Sequence, residues 1–519
     1  MLLLIGIGIF RDYGVSWDEK TQYKLGVEAV ETLWHGKPWP EDPGRRFHGP
    51  VIEIVMTVVE RLMHLKAARA IYFERHFINF LTFFAGVGFF YLLASKHFRN
   101  WRIGLLGALF LVLSPRIFGH AFVNSRDIPA MSLFIVAMFT LVRFREKRSL
   151  ARAAVHALAC ALLIDVRMTG ILLPPLTLGI LLLDDWRRVR DGEKLSKLRE
   201  ASWICGYLVA CMALVVLFWP LLWQHPVQNF LAAFQNMSTK GFGGYFMGEA
   251  TATPVPYWLP VWIVISTPFL YTTFFLTGLG VLCLAFFRHP IRTALSRPDD
   301  LLFLLWFFVP IAAVIVLGAG IFDEWRHVYF IYPAFLLIAL TGVKFLSDRA
   351  AKASLSWLQP AFVMVVSGSM ILTAGWMFLN HPLQYVYFSI PSRLADGNFE
   401  LDYWGLSYRQ AYELILASDS DAVIPMIPSS SPGWSTVNIL TPEQRRRILL
   451  VRDQKYAKYI LDNFNDASYE KILDPEDKLA SISAGNIEVL AIYGNVEWEP
   501  HDYGEKSPMP DTAMLFFEK

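Results

Sequence analysis

Apolar runs of bilayer length, separated by loops whose basic residues alternate from side to side, constrain this sequence more than any other feature. A bilayer core requires about 20 apolar residues of helix, within a range of roughly 17–25. Stretches of this kind occur at 77–95, 103–118, 128–142, 201–222, 257–286, 301–319, 328–343 and 360–379. The apolar stretch 153–183 is too long for one comfortable span and is interrupted by Asp165-Val166-Arg167, so it reads as two short helices turning at that point. Met1–Phe10 is half a span, either the remainder of a first helix or a sign that the true start lies upstream. With no basic n-region and no small-residue cleavage site before Arg11, a cleaved signal peptide is not expected. The expected total is about eleven transmembrane helices.

Composition agrees. Hydrophobic residues make up 55% of the chain and charged residues 18%, against about 25% charged in ordinary soluble domains. This balance excludes disordered, collagen-like and small disulfide-stapled chains. A net charge of +2 gives no ground for nucleic-acid binding. The four cysteines (Cys160, Cys205, Cys211, Cys283) lie in apolar stretches, without CxxC or zinc spacing.

The basic residues fix an expected orientation. One set of loops holds about 20 Lys and Arg, and the opposing short loops about four (Arg126, Arg167, Lys240 and Arg326). The first set belongs in the cytoplasm. The outer side then receives 11–76, 119–127, 223–256, 320–327 and everything after Asn380. The tail differs in material. Short apolar runs at Ala422–Ile427, Arg447–Val451, Lys458–Leu461 and Ile487–Ile492 read as strands, and Tyr408–Ala417 and Pro442–Arg447 as helices. The expected organisation is a membrane domain over 1–380, with 11–76 as its first outer loop, and an extracytoplasmic α/β domain over 381–519.

Ionisable groups beside membrane spans are costly and so are functional candidates. The outer edge collects them. Asp18 and Glu19 follow the first span in Gly14-Val15-Ser16-Trp17-Asp18-Glu19. Asp127 closes Asn124-Ser125-Arg126-Asp127-Ile128-Pro129. The structural alternative is capping: Ser16 or Asp18 for a helix over Gln22–Leu33, and Asp127 for the next span with Pro129 in its first turn. The cationic candidates are Arg167, at the turn of the split hairpin, Arg326 with His327, and Arg45, Arg46 and His48 beside Gly49-Pro50. Their alternative role is interfacial anchoring. Carboxylates beside arginines at a membrane surface suit a phosphate-linked lipid substrate. Arginine holds phosphate in a bidentate fork, and a carboxylate accepts a hydroxyl proton.

In this order and sidedness the chain resembles the GT-C superfamily of integral-membrane glycosyltransferases. Within it, the chain is similar to the glycosyltransferase 39-like group of protein O-mannosyltransferases and lipid A aminoarabinose transferases. The matching pieces are Ser16-Trp17-Asp18-Glu19, His48-Gly49-Pro50, Asn124–Pro129, Arg167-Met168-Thr169-Gly170 and Arg326-His327-Val328-Tyr329, and tail segments 381–388 and 400–405 are similar to bacterial relatives. His48-Gly49-Pro50 stands where relatives often carry a double proline.

The resemblance implies sugar transfer from a polyprenyl-phosphate donor to an acceptor hydroxyl of a lipid, glycan or protein, by a single inverting displacement in a bacterial cytoplasmic membrane. It assigns Asp18 as base with Glu19 and Asp127 as catalytic partners, and Arg326, His327 and Arg167 to the donor phosphate. His48 and Arg126 are further candidate substrate contacts. Some members of the superfamily use a divalent metal, and the sequence does not decide for this chain. The rival reading is a secondary transporter or a flippase of lipid-linked sugars, which would place ionisable groups along a path near the midplane, usually with inverted repeats.

Overall fold

The computed structural model describes residues 1–238, 244–251, 255–318, 320–321, 323–464, 473–495 and 498. Lys240 and the stretch 499–519 of the expected tail domain lie outside the described residues.

The protein is a helical membrane bundle with a small α/β layer at one end. All eleven expected segments are helical. Among the described residues, eight helices are long and apolar enough to cross a membrane: Ala68–Phe98, Asp127–Glu146, Met168–Arg190, Lys197–Phe218, Phe269–Arg288, Pro298–Leu317, Arg326–Lys352 and Leu358–Leu379. Trp101–Val112 with Pro115–Val123 makes a ninth, bent by 67°. The other two are shorter, Leu2–Ile9 with 8 residues and Leu150–Val166 with 17.

Several boundaries differ from the sequence reading, each for a local reason. The expected loop 119–127 is largely helix: Ser114 is extended, Pro115 opens a new helix at its first turn, and that helix runs to Val123. Its bend carries Arg116 and His120 out of line with the preceding span. The expected span 257–286 is two helices, Trp258–Ser266 and Phe269–Arg288. Thr267 is extended before Pro268, as the residue before a proline prefers. The long loop 11–76 folds into Glu19–His35, Pro43–Arg46, Val51–Leu62 and the first turns of Ala68–Phe98.

Neither expected cap is made. Asp18 precedes the Glu19–His35 helix and Asp127 is the first residue of its own, but neither side chain bonds a helix-start N–H. Asn124 does that work at the second site, where its Oδ1 accepts from the Arg126 and Asp127 amides at 3.2 and 2.8 Å. Both aspartates therefore keep their carboxylates for other partners.

Among the described residues, the tail forms a five-stranded sheet. A hairpin within the membrane portion supplies β1 (Gly244–Phe246) and β2 (Glu249–Thr251). The tail supplies β3 (Ile424–Pro428), β4 (Ile448–Leu450), β5 (Tyr459–Asp462), β6 (Lys478–Ala484) and β7 (Ile487–Gly494), in the order β4-β3-β5-β7-β6. β3 pairs in parallel with β4 and β5, and β7 runs antiparallel to β5 and β6. All five residues of β3 are buried, as a strand covered on both faces requires. The Tyr408–Ser418 helix packs Tyr412 and Ile415 with Ile424, Met426, Leu461 and Leu490. Residues 383–406 belong to a different core: Tyr385, Val386, Tyr403, Trp404 and Leu406 pack with the membrane helices.

Candidate functional site

Five chain turns meet where the bundle abuts the tail. They are 14–18, 124–127, 165–167, 323–326 and 402–407. Close backbone approach makes this meeting possible. A Cβ on Gly14 would lie 2.6 Å from the Leu406 carbonyl oxygen, and one on Gly49 would lie 2.6 Å from the Asp165 carboxyl carbon. Asp165 Oδ1 also accepts the Val51 amide at 2.8 Å, which clamps the 48–51 turn onto the split hairpin. The Asp-Val-Arg interruption thus has two uses: Asp165 anchors the first loop, and Arg167 reaches the cluster beyond it.

Arg326 is the centre. Its Nη1 lies 3.0 Å from Asp18 Oδ2 and 3.5 Å from Asp127 Oδ2, and its Nη2 lies 2.7 Å from Asp323 Oδ2. Its guanidinium carbon stands 4.8 Å from the centroid of the Trp404 ring, a cation–π contact. Arg167 Nη2 donates to the other oxygen of Asp127, and Asn124 Nδ2 donates to Asp127 Oδ2 at 2.9 Å. Asp127 is held between two guanidinium groups and is 1% exposed, whereas Asp18 is 34% and Asp323 30% exposed. The cluster therefore has a buried floor, Asp127 with Arg167, and an open side, Asp18 with Asp323.

Arg126 completes the cationic set. Asp18, Asp127 and Glu53 bear on it electrostatically, and burial pulls its pKa down to about 10. Its Nη2 is buried without a hydrogen-bond partner among the described residues. Ser125 Oγ donates to Glu53 at 3.5 Å, and burial pushes the Glu53 carboxyl above its ordinary range. The half-buried His327 lies within electrostatic reach of Asp127.

Glu19 points elsewhere. It accepts from the Ser16 amide at 2.6 Å and lies 2.8 Å from His76 Nε2. It fixes the turn that presents Asp18 and does not join the Arg326 cluster. His48 occupies the turn beside Gly49, on the first-loop side of Asp165. Arg45 pairs with Glu28 and Asp42 within the first loop.

A second network supports the first from below. Glu324, fully buried, pairs with Arg116 Nη1 at 2.6 Å and accepts from the hydroxyls of Tyr329, at 2.7 Å, and Tyr403. Burial opposes its charge, but Arg116 and His120 outweigh that and hold its carboxyl below the usual range. His120 Nε2 lies 2.8 Å from the Tyr403 hydroxyl, and His120 Nδ1 lies 3.0 Å from Asn124 Nδ2. Asn124 thus ties this network to Asp127. Asp323 and Glu324 sit at φ +51° and +61°, a left-handed pair that is uncommon for residues with a Cβ and costs of order 1–3 kcal/mol each. This backbone turns Asp323 toward Arg326 and Glu324 toward Arg116.

The sequence reading brought Asp18, Asp127, Arg167 and Arg326 forward, and the structure gathers these four. It gave no role to Asp323, Glu324, Arg116, His120, Tyr403 or Trp404. One signal was available: Arg116, an arginine inside an apolar run, is a costly residue that demands a partner. The tyrosine and tryptophan arrive from about 80 residues downstream of Arg326, inside the tail segment 400–405 singled out above, but nothing in the sequence joins that segment to Arg326. Among the described residues, no group of three or more His, Cys, Asp or Glu side chains is placed to hold a metal ion. Positive charge at the cluster comes from Arg126, Arg167 and Arg326.

The fold and the edge-on charge cluster define a class: a polytopic helical membrane protein whose ionisable site lies at one end of the bundle, under an α/β layer. No family model and no curated protein sequence matches the chain. The fold itself is that of solved structures of ArnT from Cupriavidus metallidurans. The structure bound to undecaprenyl phosphate superposes with a TM-score of 0.51 at 13% identity, and the apo structure with 0.53 at 12%. Each comparison covers 96% of this chain and 98% of the other. The likeness thus takes in the tail as well as the membrane bundle.

Proposed function

We propose that the protein transfers a sugar from a polyprenyl-phosphate donor to an acceptor hydroxyl at the extracytoplasmic membrane surface. The observation that carries this reading is the convergence of Asp18, Asp127 and Asp323 on Arg326, with Arg167 behind, at one edge of a membrane bundle. The ArnT fold supports it, since one solved ArnT structure holds undecaprenyl phosphate. The excess of basic residues in the opposing loops supports placing this edge outside.

Asp18, Asp127 and Asp323 stand against Arg167 and Arg326, with Arg126 and Glu53 beside them, so the resting cluster already balances its cations with carboxylates. A donor phosphate entering from the open side competes with Asp18 and Asp323 for Arg326. Asp127 stays with Arg167 and keeps both cations in place. Binding thereby frees Asp18 from its ion pair beside the anomeric carbon. The acceptor hydroxyl attacks that carbon as Asp18 takes its proton. The bond to the phosphate oxygen breaks with inversion, and Arg326 meets the charge developing on the leaving phosphate. Positioning by the fixed cluster supplies much of the remaining rate. The Glu324–Arg116–His120 network holds Tyr403 and Trp404 against this assembly and does not itself reach the reacting atoms.

The test is transfer of labelled sugar from native membranes with Asp18→Asn. Asparagine keeps the size and cannot accept the proton, so transfer should fall about 10²–10⁴-fold at unchanged abundance. Full activity of that variant refutes the base.

A further inference from the structure

At the other end of the same bundle lies a cavity of about 500 Å³, lined by charged side chains of the Asp127–Glu146, Leu173–Arg190 and Lys197–Phe218 helices and their connections. It is separated from the Arg326 cluster by the full length of the Asp127–Glu146 helix, about 30 Å. Its wall is built from ion pairs. Arg145 bonds Asp184 through Nε at 2.7 Å and also pairs with Asp299, and Arg148 pairs with Asp185 and Glu200, each at 2.7 Å. These carboxylates are consumed by the wall. Other cations around the rim are left short of charge partners. Arg187 and Arg199 reach a carboxylate only at 4.0 Å, and Lys147 makes no ion pair among the described residues. Trp203, half-buried on the Lys197–Phe218 helix, lines the cavity, and beyond it the same helix is largely exposed along its apolar length, with Val209, Met212 and Leu217 outward.

A cationic recess opening beside a tryptophan and an apolar helix face, at the edge of a bilayer, matches one ligand chemistry. We propose that this cavity binds a phosphate group, supplied by the headgroup of an anionic membrane lipid whose chains lie along the Lys197–Phe218 helix. Basic recesses between membrane helices on the cytoplasmic side hold such headgroups. The fixed Arg145 and Arg148 pairs shape the recess, and Lys147, Arg187 and Arg199 supply its attraction. This site is independent of the transfer chemistry proposed above and survives if that reading fails.

The experiment is thermal unfolding of the purified full-length protein in phosphatidylcholine nanodiscs containing increasing phosphatidylglycerol, with a parallel titration of inorganic phosphate. Phosphatidylglycerol should raise the Tm to a plateau that added phosphatidylcholine does not reach. In Lys147→Gln/Arg187→Gln/Arg199→Gln the half-maximal phosphatidylglycerol content should rise by about five-fold per cation removed. Arg199→Gln alone, at a 60% exposed side chain, gives the same direction should the triple variant fold poorly. Arg349→Gln/Lys352→Gln, which removes charge elsewhere at that end, should leave the response unchanged. If inorganic phosphate reproduces the shift with the same dependence on the three cations, the site takes its phosphate from solution, and the lipid assignment falls. Equal responses to the two lipids, or equal weakening by the Arg349/Lys352 variant, overturn the site.

Discussion

A guanidinium shared by three carboxylates is stable only while each of them keeps a partner, and Asp127 shows why. It lies between Arg326 and Arg167 with 1% of its side chain exposed. Removing one member of a buried pair leaves the other charge uncompensated, at a cost of about 3–5 kcal/mol. Asp127→Asn should therefore lower the unfolding temperature markedly in detergent, whereas Asp18→Asn, on the open side, should barely move it. Equal and small shifts would show that Asp127 carries no structural charge. Arg326→Lys tests geometry at constant charge. An ammonium cannot serve Asp18, Asp127 and Asp323 through separate donors in a planar fork, and transfer should fall about 10²-fold with the protein still folded. Wild-type transfer in that variant would reduce Arg326 to a point charge. These residues were legible in the sequence because a charge beside an apolar run costs energy and needs a reason. Their capping role, equally suggested by position, is not made: neither carboxylate accepts a helix-start N–H, and at the second site Asn124 accepts the Arg126 and Asp127 amides instead.

At the scale of elements, the helices and tail strands could be read because each carries its own periodicity or length. β6 was missed: Lys478, Leu479, Ser481 and Ser483 are exposed and its alternation is broken by a register shift between Lys478 and Ala480, which leaves little apolar signal. The breaks at Ser114-Pro115 and Thr267-Pro268 fall inside apolar runs, where hydropathy stays high while the backbone turns. The assembly of 402–407 against 323–326 was not legible at all, since it joins turns far apart in sequence. Glu400 is a joint in that assembly. It accepts the Glu324 amide at 3.0 Å and the Tyr245 amide of β1 at 3.2 Å. Burial first, and then Asp323, push its pKa from 4.5 up to about 8. The folded protein thus holds a proton on Glu400 that the unfolded chain releases near pH 4.5. This carboxyl's contribution to stability is full below about pH 4, falls as the pH rises toward 8, and is level above that. Glu400→Gln lacks the loss, so its Tm relative to wild type should climb between pH 5 and 8 and then flatten. A difference independent of pH would mean that Glu400 ionises as freely in the fold as in the unfolded chain.

Over the whole molecule, charge is segregated by end. The Asp18–Asp127–Asp323–Arg326 cluster and the tail sheet occupy one end, and the paired arginines of the Arg145 cavity the other. A transporter would instead thread ionisable groups through the midplane between repeated halves; here the described cluster sits at helix ends on one edge. Consumption of a polyprenyl-phosphate sugar is read by mass spectrometry of lipid extracts from cells lacking the protein. One polyprenyl-phosphate sugar should accumulate, cleared by the wild-type protein and left uncleared by Asp18→Asn at equal abundance. An unchanged polyprenyl-phosphate pool, or full clearance by Asp18→Asn, would contradict it.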